Sequence, residues 1–291
     1  MVQIYPPERV NLHTHSWYCG HGIGELSEYV VAAEQQGLDV LGFSEHCPLP
    51  DHRWPNSRME LGLLDSYLEE CRGLQRSVDS LQILCGLECD FYPEYATWYR
   101  EFILEKQKVD FLCFGVHFLT NGFGKDVYLK HLPQEKRFLH KYTDLYTAGL
   151  SSGLFLFGVH PDLFASFYTN WDAEAIACSK EIIECAVTYN IPLEINGNGL
   201  RKSMIDTPAG RRHQYPLREF WELAATYPVL VTTNSDAHQP NEVNQWQWES
   251  FAFANKCRVE LCSCEIKTQK NSSLHEVALL LPEEERKVSN K

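Results

Sequence analysis

The 291-residue chain lacks two features that would assign it to a membrane or to the secretory route. No window approaches the roughly 20 consecutive apolar residues that a membrane-spanning helix needs, so we expect no membrane partner. The first residues contain no basic stretch followed by an apolar run, which argues against a secretory signal. We therefore expect a cytoplasmic protein.

The chain is also short of positive charge, with 26 Lys and Arg against 39 Asp and Glu and a formal net charge of -13. Proteins that bind nucleic-acid backbones need a local surplus of Lys and Arg, so we expect no nucleic-acid partner. A small anionic substrate is still compatible with this charge, because bound metal ions supply more positive charge than any side chain.

The composition is ordinary for a globular enzyme, with 44% hydrophobic and 22% charged residues. Eleven cysteines are scattered along the chain, and the odd number fits reduced thiols better than a disulfide framework. The group formed by Cys257, Cys262 and Cys264 matches no usual zinc spacing. We interpret these three residues as ordinary thiols.

Seven short apolar runs alternate with longer segments of helical periodicity, which is the pattern of repeated strand and helix units around a parallel sheet. The runs cover residues 10–12, 39–43, 81–87, 109–116, 154–159, 191–195 and 229–233. The helical segments cover residues 25–36, 63–78, 95–106, 135–149, 173–187 and 217–227. This order predicts an α/β barrel of seven strand–helix units, one fewer than in the common eight-stranded barrel.

Each apolar run ends in residues that can bind a metal or a substrate, and in a barrel these strand ends converge on one face. In chain order they are His13 and His15, Glu45 and His46, Glu88 and Asp90, His117, His160 and Asp162, Asn196 and Asn198, and Asp236 and His238. A lone histidine after a strand is more often structural, and Glu88 or Asp236 alone could be a helix cap or a solvated charge. Their coincidence at six of seven strand ends favours a metal site.

The remaining histidines and several carboxylates do not follow strands. We interpret His52, His131, His140, His213 and His275 as surface or structural residues, and Asp126, Asp144 and the acidic run 283–285 as solvated charge.

The residues at the strand ends resemble the PHP (polymerase and histidinol phosphatase) superfamily, and most closely its histidinol-phosphate phosphatases. The resemblance rests on N-L-H-T-H, C-G-H-G, F-S-E-H-C-P-L, G-L-E-C-D, G-V-H-F-L, G-V-H-P-D, E-I-N-G-N-G-L-R-K and N-S-D-A-H. It implies a distorted (β/α)7 barrel over residues 1–264, with the metal site at the C-terminal strand ends. Residues 265–291 have no counterpart, and we expect a C-terminal tail or an extra helix there.

All nine metal-ligand positions of the family are filled, and the resemblance implies a trinuclear arrangement. The first metal position would be held by His13, His15, Glu88 and Asp236, the second by His21, His46 and His238, and the third by His117 and His160 together with Glu88. Glu88 would therefore bridge two ions. Imidazole and carboxylate ligands suit Zn, Mn and Fe alike, so the ligand types do not identify the metal. We expect two or three divalent ions of these kinds.

The chemistry implied is hydrolysis of a phosphomonoester without a covalent phosphoenzyme, with Glu88, Asp236 and His238 at the catalytic centre. We expect Arg201 to bind the phosphate with its planar guanidinium, the alternative being a surface residue on a loop, and Lys202 is a weaker candidate. Asp90 and Asp162 could act as acids or orient ligands. Possible contacts at the pocket rim are Trp17, Tyr18, Asp51, Phe91 and Phe118.

Three functions remain open from the sequence. The leading one is histidinol-phosphate phosphatase in histidine biosynthesis, with a small-molecule phosphate ester as substrate. The second is a phosphoesterase of the same kind that acts on another small phosphate ester or on a nucleotide. The third is a non-catalytic metal-binding module. The oligomeric state is not indicated.

Overall fold

The computed structural model describes residues 2–121, 123–268 and 274–281, which form fourteen strands and seven α-helices. The strands are β1 Val2–Tyr5, β2 Val10–Asn11, β3 Val40–His46, β4 Gln82–Asp90, β5 Phe111–Gly115, β6 Phe118–Thr120, β7 Asp126–Tyr128, β8 Phe157–Gly158, β9 Leu193–Asn196, β10 Ile205–Thr207, β11 Gly210–Arg212, β12 Val231–Asn234, β13 Ser263–Thr268 and β14 His275–Leu280. The α-helices are α1 Leu26–Gln35, α2 Leu64–Ser77, α3 Lys136–Ser151, α4 Ala173–Tyr189, α5 Gly197–Arg201, α6 Arg218–Ala224 and α7 Glu242–Cys257.

Seven parallel strands form the barrel, in the order β2, β3, β4, β5, β8, β9 and β12. The first and last strands meet through a parallel bridge between Thr14 and Ala237, and the amide of Leu12 donates to the Asn234 side chain. Strands β3 and β5 are buried along their whole length, as expected for a sheet covered on both faces. The seven predicted strands and the nearly closed (β/α)7 barrel are confirmed.

The predicted helical segments form the outer layer. Five of them correspond to α1, α2, α3, α4 and α6, of which α3 and α4 extend two residues beyond the predicted ends, and the sixth contains a helix of π type at Trp98–Lys106. The start of α4 shows why such a segment begins where it does, because Asp172 accepts hydrogen bonds from the first free amides, those of Glu174 and Ala175. Apolar faces of these helices pack against the outside of the barrel in one large core.

The barrel interior is filled by large apolar side chains, of which Phe111 is central. A Cβ atom on Gly86 would lie 2.5 Å from the Phe111 ring, so only glycine fits there on the neighbouring strand. Below this layer, Cys264, Ile266 and Leu279 close the barrel.

A three-stranded antiparallel sheet, in the order β1, β13, β14, supplies this barrel floor. It lies where the barrel strands begin, because the amide of His275 donates to Asp110, the residue before β5. An extra helix is therefore wrong for the described part of the segment from Glu265, which forms strands instead. In β13 buried residues alternate with more exposed ones, which is strand periodicity. The domain division at this point stays a prediction, and residues 269–273 and 282–291, with the acidic run, lie outside the described residues.

The described part of the chain contains no helix of the length and apolarity that crossing a membrane requires.

Candidate metal centre

The carboxylate of Glu88, near the end of β4, lies at the centre of the predicted ligand set. Its Oε2 atom is 2.8 Å from His46 Nδ1, 3.4 Å from His15 Nε2 and 3.5 Å from His13 Nε2. Its Oε1 atom is 3.2 Å from His160 Nε2 and 3.5 Å from His117 Nε2. The two oxygens therefore face two different groups of imidazoles.

Asp236 brings a second carboxylate to the same imidazoles. Its Oδ1 atom is 3.3 Å from His15 Nε2 and 3.6 Å from His13 Nε2. The side chains of Asn196 and Asn198 donate to its Oδ2 atom at 3.1 and 3.0 Å. Asp236 has a φ of 51°, a backbone conformation that Asp tolerates better than most residues. The two amides thus hold Oδ1 towards the histidines.

His21 and His238 form the outer edge of the cluster, with their Nε2 atoms 3.1 Å apart. Burial and the neighbouring His238 lower the pKa of His21 to about 4. Burial and the neighbouring His15 lower the pKa of His238 to about 4 as well. Both rings are therefore neutral near pH 7, which is the form of imidazole that binds a metal ion.

The donor atoms are arranged in groups that fit cations. Within the described residues, five sets of three donors lie within 4.8 Å of one another, and two of them include Cys19. The other three consist of predicted ligands, namely His13 with His15 and Glu88, Glu88 with His117 and His160, and His15 with His46 and His238. The Nε2 atoms of His13 and His15 are buried without a hydrogen-bond partner in the part of the chain that is described. Such unsatisfied buried nitrogens are costly unless a ligand pairs with them, so the residues fit metal binding.

Cys19 is a donor that the sequence did not single out. It forms one possible group with His21 and His238, and its Sγ atom lies 3.7 Å from His21 Nδ1. The resemblance groups His21 with His46 and His238, and this grouping stays a prediction. In the structure His15 also lies within reach of His46 and His238, and Cys19 lies beside His21.

Two further carboxylates orient histidines from behind. His13 Nδ1 donates to Glu194 Oε1 at 2.7 Å, and Asn234 donates to the same oxygen at 2.9 Å. His117 Nδ1 donates to Asp90 Oδ1 at 3.1 Å. Partners of this kind fix the ring and the tautomer of a ligating histidine. Glu194 was missed, although a carboxylate within the apolar run before Asn196 is a signal that could have revealed it.

Asp90 also forms a buried ion pair with Arg58, whose Nη2 atom lies 2.7 Å from Asp90 Oδ2. Burial alone would raise the pKa of Asp90, but His117 and Arg58 outweigh it and hold that pKa below its usual range. Asp90 is therefore a carboxylate that positions a histidine.

The hydrogen bonds of Asp162 lie outside the cluster. This residue accepts hydrogen bonds from the amide of Leu217 and from Trp221 Nε1, the latter at 3.0 Å, and so fixes the start of α6. Burial raises the pKa of Asp162 to about 7. Asp162 was expected to act as an acid or to orient a metal ligand, whereas these hydrogen bonds hold the start of α6.

A cavity of about 580 Å³ opens above the cluster. Its walls include the histidines and carboxylates above, together with Phe118, Tyr128, Lys130, His131, Asn198, Arg201, Lys202 and Tyr215. Lys130 was not predicted from the sequence, and His131, interpreted there as a surface or structural residue, lines the cavity. Neither follows a barrel strand directly, so the strand-end pattern did not reveal them.

Arg201 lies at the cavity edge, where its Nη2 atom donates to Asn198 at 2.6 Å and its Nη1 atom is 3.2 Å from Glu242. Lys202 faces the same cavity with its ammonium group 5.8 Å from the centre of the Tyr215 ring. Burial lowers the pKa of Lys202. Both predicted phosphate contacts therefore lie at the cavity.

Of the five possible rim contacts, Phe118 lines the cavity. Phe91 packs in the core against Phe155, and the Asp51 carboxylate accepts from Tyr95. Trp17 and Tyr18 stack on each other with ring centroids 4.2 Å apart.

Comparison with known proteins gives consistent matches. Residues 11–198 match the model of the PHP domain family. A protein of Deinococcus radiodurans named "Probable histidinol-phosphatase" is 30% identical over 250 residues, 84% of this chain and 89% of that protein. A Schizosaccharomyces pombe protein of the same name is 25% identical over 283 residues, 88% of this chain and 89% of that protein. The crystal structure of histidinol phosphate phosphatase from Lactococcus lactis, complexed with Zn, L-histidinol and phosphate, superposes with a TM-score of 0.67 at 18% identity, covering 87% of this chain and 95% of that chain.

Proposed function

The chain belongs to the PHP domain family, and we propose that it is a metal-dependent phosphomonoesterase that hydrolyses L-histidinol phosphate to L-histidinol and phosphate. The names of the relatives support this substrate, as does the ligand set of the Lactococcus lactis structure. The reaction would place the chain in histidine biosynthesis.

The observation that carries the proposal is the position of Glu88, whose two oxygens face separate groups of histidines beneath an open cavity. We assign the first metal position to His13, His15, Glu88 and Asp236, the second to His21, His46 and His238, and the third to His117, His160 and Glu88. Nine ligands exceed the four that one zinc ion usually takes, so the site holds two or three divalent ions of Zn, Mn or Fe. When bound, such ions activate water and neutralise phosphoryl oxygens.

The residues of the chain itself have distinct parts in this proposal. Glu194 and Asp90 hold the rings of His13 and His117 in place. Arg201 and Lys202 orient the phosphate at the cavity edge by charge and hydrogen bonds. Phe118 offers an aromatic face, to which the cationic or planar parts of L-histidinol can bind.

A substrate panel tests the function. Purified protein loaded with Mn or Zn should hydrolyse L-histidinol phosphate with a kcat/KM well above its values for p-nitrophenyl phosphate, a nucleoside monophosphate and bis-p-nitrophenyl phosphate. Metal analysis of the same samples should give two or three ions per chain. Preference for the nucleotide or the diester would overturn the assignment of substrate. Stoichiometric metal without hydrolysis of any ester would instead favour a metal-binding module.

Removing the phosphate contacts should weaken catalysis without loss of metal. We expect Arg201→Ala and Lys202→Ala each to lower kcat/KM by on the order of 10- to 100-fold, equivalent to about 1.4–2.8 kcal/mol. Steady-state kinetics with elemental analysis checks this. Lys136→Ala is the matched control, because Lys136 is an exposed cation that pairs with Glu174 on the outer helices. If Arg201→Ala changes kcat/KM as little as Lys136→Ala does, Arg201 does not bind the phosphate and is a surface residue.

A further inference from the structure

One wall of the cavity is built by a loop and a hairpin that contain none of the proposed metal ligands. The loop, residues 51–59 after β3, contributes Asn56 and Ser57 to the cavity. The hairpin of β6 and β7 contributes Phe118 and Tyr128. We call these two segments the cavity wall. The wall can therefore change without removing any metal ligand.

An ion pair joins the two segments. Arg53 Nε donates to Asp126 Oδ2 at 2.6 Å, and Arg53 Nη2 donates to Asp126 Oδ1 at 2.8 Å. Such bidentate pairs are the stronger and more directional kind. Trp54 Nε1 and Thr120 Oγ1 also donate to Asp126, each at 2.9 Å. Asp126 is thus a structural centre, and its interpretation as solvated charge was wrong.

Aromatic contacts extend this connection to the cavity. The Trp54 ring stacks on Phe118 with centroids 4.5 Å apart and planes 8° from parallel. The Arg58 guanidinium lies over the Trp54 ring, 4.8 Å from its centroid. The Phe118 ring in turn contacts Tyr128 edge to face at 5.5 Å. The position of both cavity-lining rings therefore depends on Trp54 and on the carboxylate that holds it.

The loop backbone is strained and needs these contacts. His52, Trp54 and Asn56 have φ values of 55°, 55° and 71°. Left-handed conformations are unfavourable for bulky side chains such as Trp and persist only where surrounding contacts impose them. Without the ion pair, the loop would relax and the wall would lose its defined shape.

We propose that the Arg53–Asp126 pair positions the cavity wall, and that this wall selects the alcohol half of the phosphate ester through the aromatic faces of Phe118 and Tyr128. The ligand class is an ester whose alcohol carries a planar or cationic group close to the phosphate. Arg53 and Asp126 are positioning residues, because they act through Trp54 and Phe118. The inference rests on the proposed phosphomonoesterase function.

The test compares a large and a small ester in Asp126→Asn, which keeps the size of the side chain but removes its charge. We expect kcat/KM for L-histidinol phosphate to fall on the order of 10-fold, mainly through KM, while kcat/KM for ethyl phosphate changes less than about 2-fold. Metal content should equal that of the unaltered chain. Arg218→Ala is the matched control, since it removes the exposed pair with Glu222 and should change neither value.

Equal falls for both esters in a folded, metal-loaded Asp126→Asn protein would overturn the inference. Thr120→Val offers a milder variant if that protein does not fold, because it keeps the ion pair and loses one hydrogen bond to Asp126. Thr120→Val should lower the ratio of kcat/KM for L-histidinol phosphate to kcat/KM for ethyl phosphate, as Asp126→Asn does. An unchanged ratio would contradict the proposal that the cavity wall selects the alcohol half of the ester. Failure of the proposed function is separate, because it appears as a lack of preference for L-histidinol phosphate in the unaltered chain. In that case the ester of the panel with a large alcohol group that the unaltered chain hydrolyses best takes the place of L-histidinol phosphate, and its kcat/KM is compared with that for ethyl phosphate.

Discussion

Glu88→Ala should abolish hydrolysis, with a loss in kcat/KM of at least about 1000-fold, equivalent to about 4 kcal/mol of transition-state stabilisation. The physical reason is that one side chain serves both groups of imidazoles, with Oε2 facing His46 and Oε1 facing His160. Its removal takes an anionic ligand from two proposed metal positions at once. It also leaves several imidazoles close together without the carboxylate between them.

His46→Ala is the comparison that isolates the bridging role. His46 faces only Oε2 of Glu88, so its loss should weaken one metal position and leave the group around Oε1 in place. We expect Glu88→Ala to lose more metal and more activity than His46→Ala, as measured by elemental analysis and steady-state kinetics on the same preparations. Glu222→Ala, at an exposed carboxylate, is the control. Similar metal content and residual activity in the two site variants would show that Glu88 does not bridge.

The barrel and the location of its site were predictable because both depend on local patterns. Buried parallel strands appear as short apolar runs, and a polar residue directly after such a run must lie at the C-terminal face of the barrel. His46, Glu88 and His160 could therefore be assigned to one site from their positions after strands. The structure brings these three side chains into contact.

The contacts that support the site were not predictable in the same way, because they join distant parts of the chain. His13 and Glu194 are separated by 181 residues, and Arg53 and Asp126 by 73. No periodicity links such pairs. An isolated Asp in a hairpin looks the same in sequence whether it is solvated or, like Asp126, accepts four hydrogen bonds from three side chains. The strand β13 was missed for a related reason, since its pairing with β1 joins the two ends of the chain.

Arg58→Ala should destabilise the protein by about 3–5 kcal/mol near neutral pH, because it leaves the buried carboxylate of Asp90 without its cationic partner. Arg58 and Asp90 are only 5% and 2% exposed, and the 2.7 Å contact between them is enclosed by Trp54 and the backbone of Cys47. Denaturant unfolding of the variant and of the unaltered chain, both loaded with the same metal, measures the difference.

The destabilisation by Arg58→Ala should depend on pH in a direction that identifies its cause. In the unaltered chain the pKa of Asp90 is held below its usual range, so the pair contributes its stability above about pH 4 and loses it only in stronger acid. Without Arg58, only His117 opposes the effect of burial, so the pKa of Asp90 rises relative to its value in the unaltered chain. A proton then neutralises the buried carboxylate at a higher pH in the variant, and the difference in stability from the unaltered chain should shrink as the pH falls. Adding Asp90→Asn to Arg58→Ala should recover much of the loss at pH 7, because no buried charge is left. A double variant as unstable as Arg58→Ala at every pH would show instead that the cost comes from lost packing against Trp54.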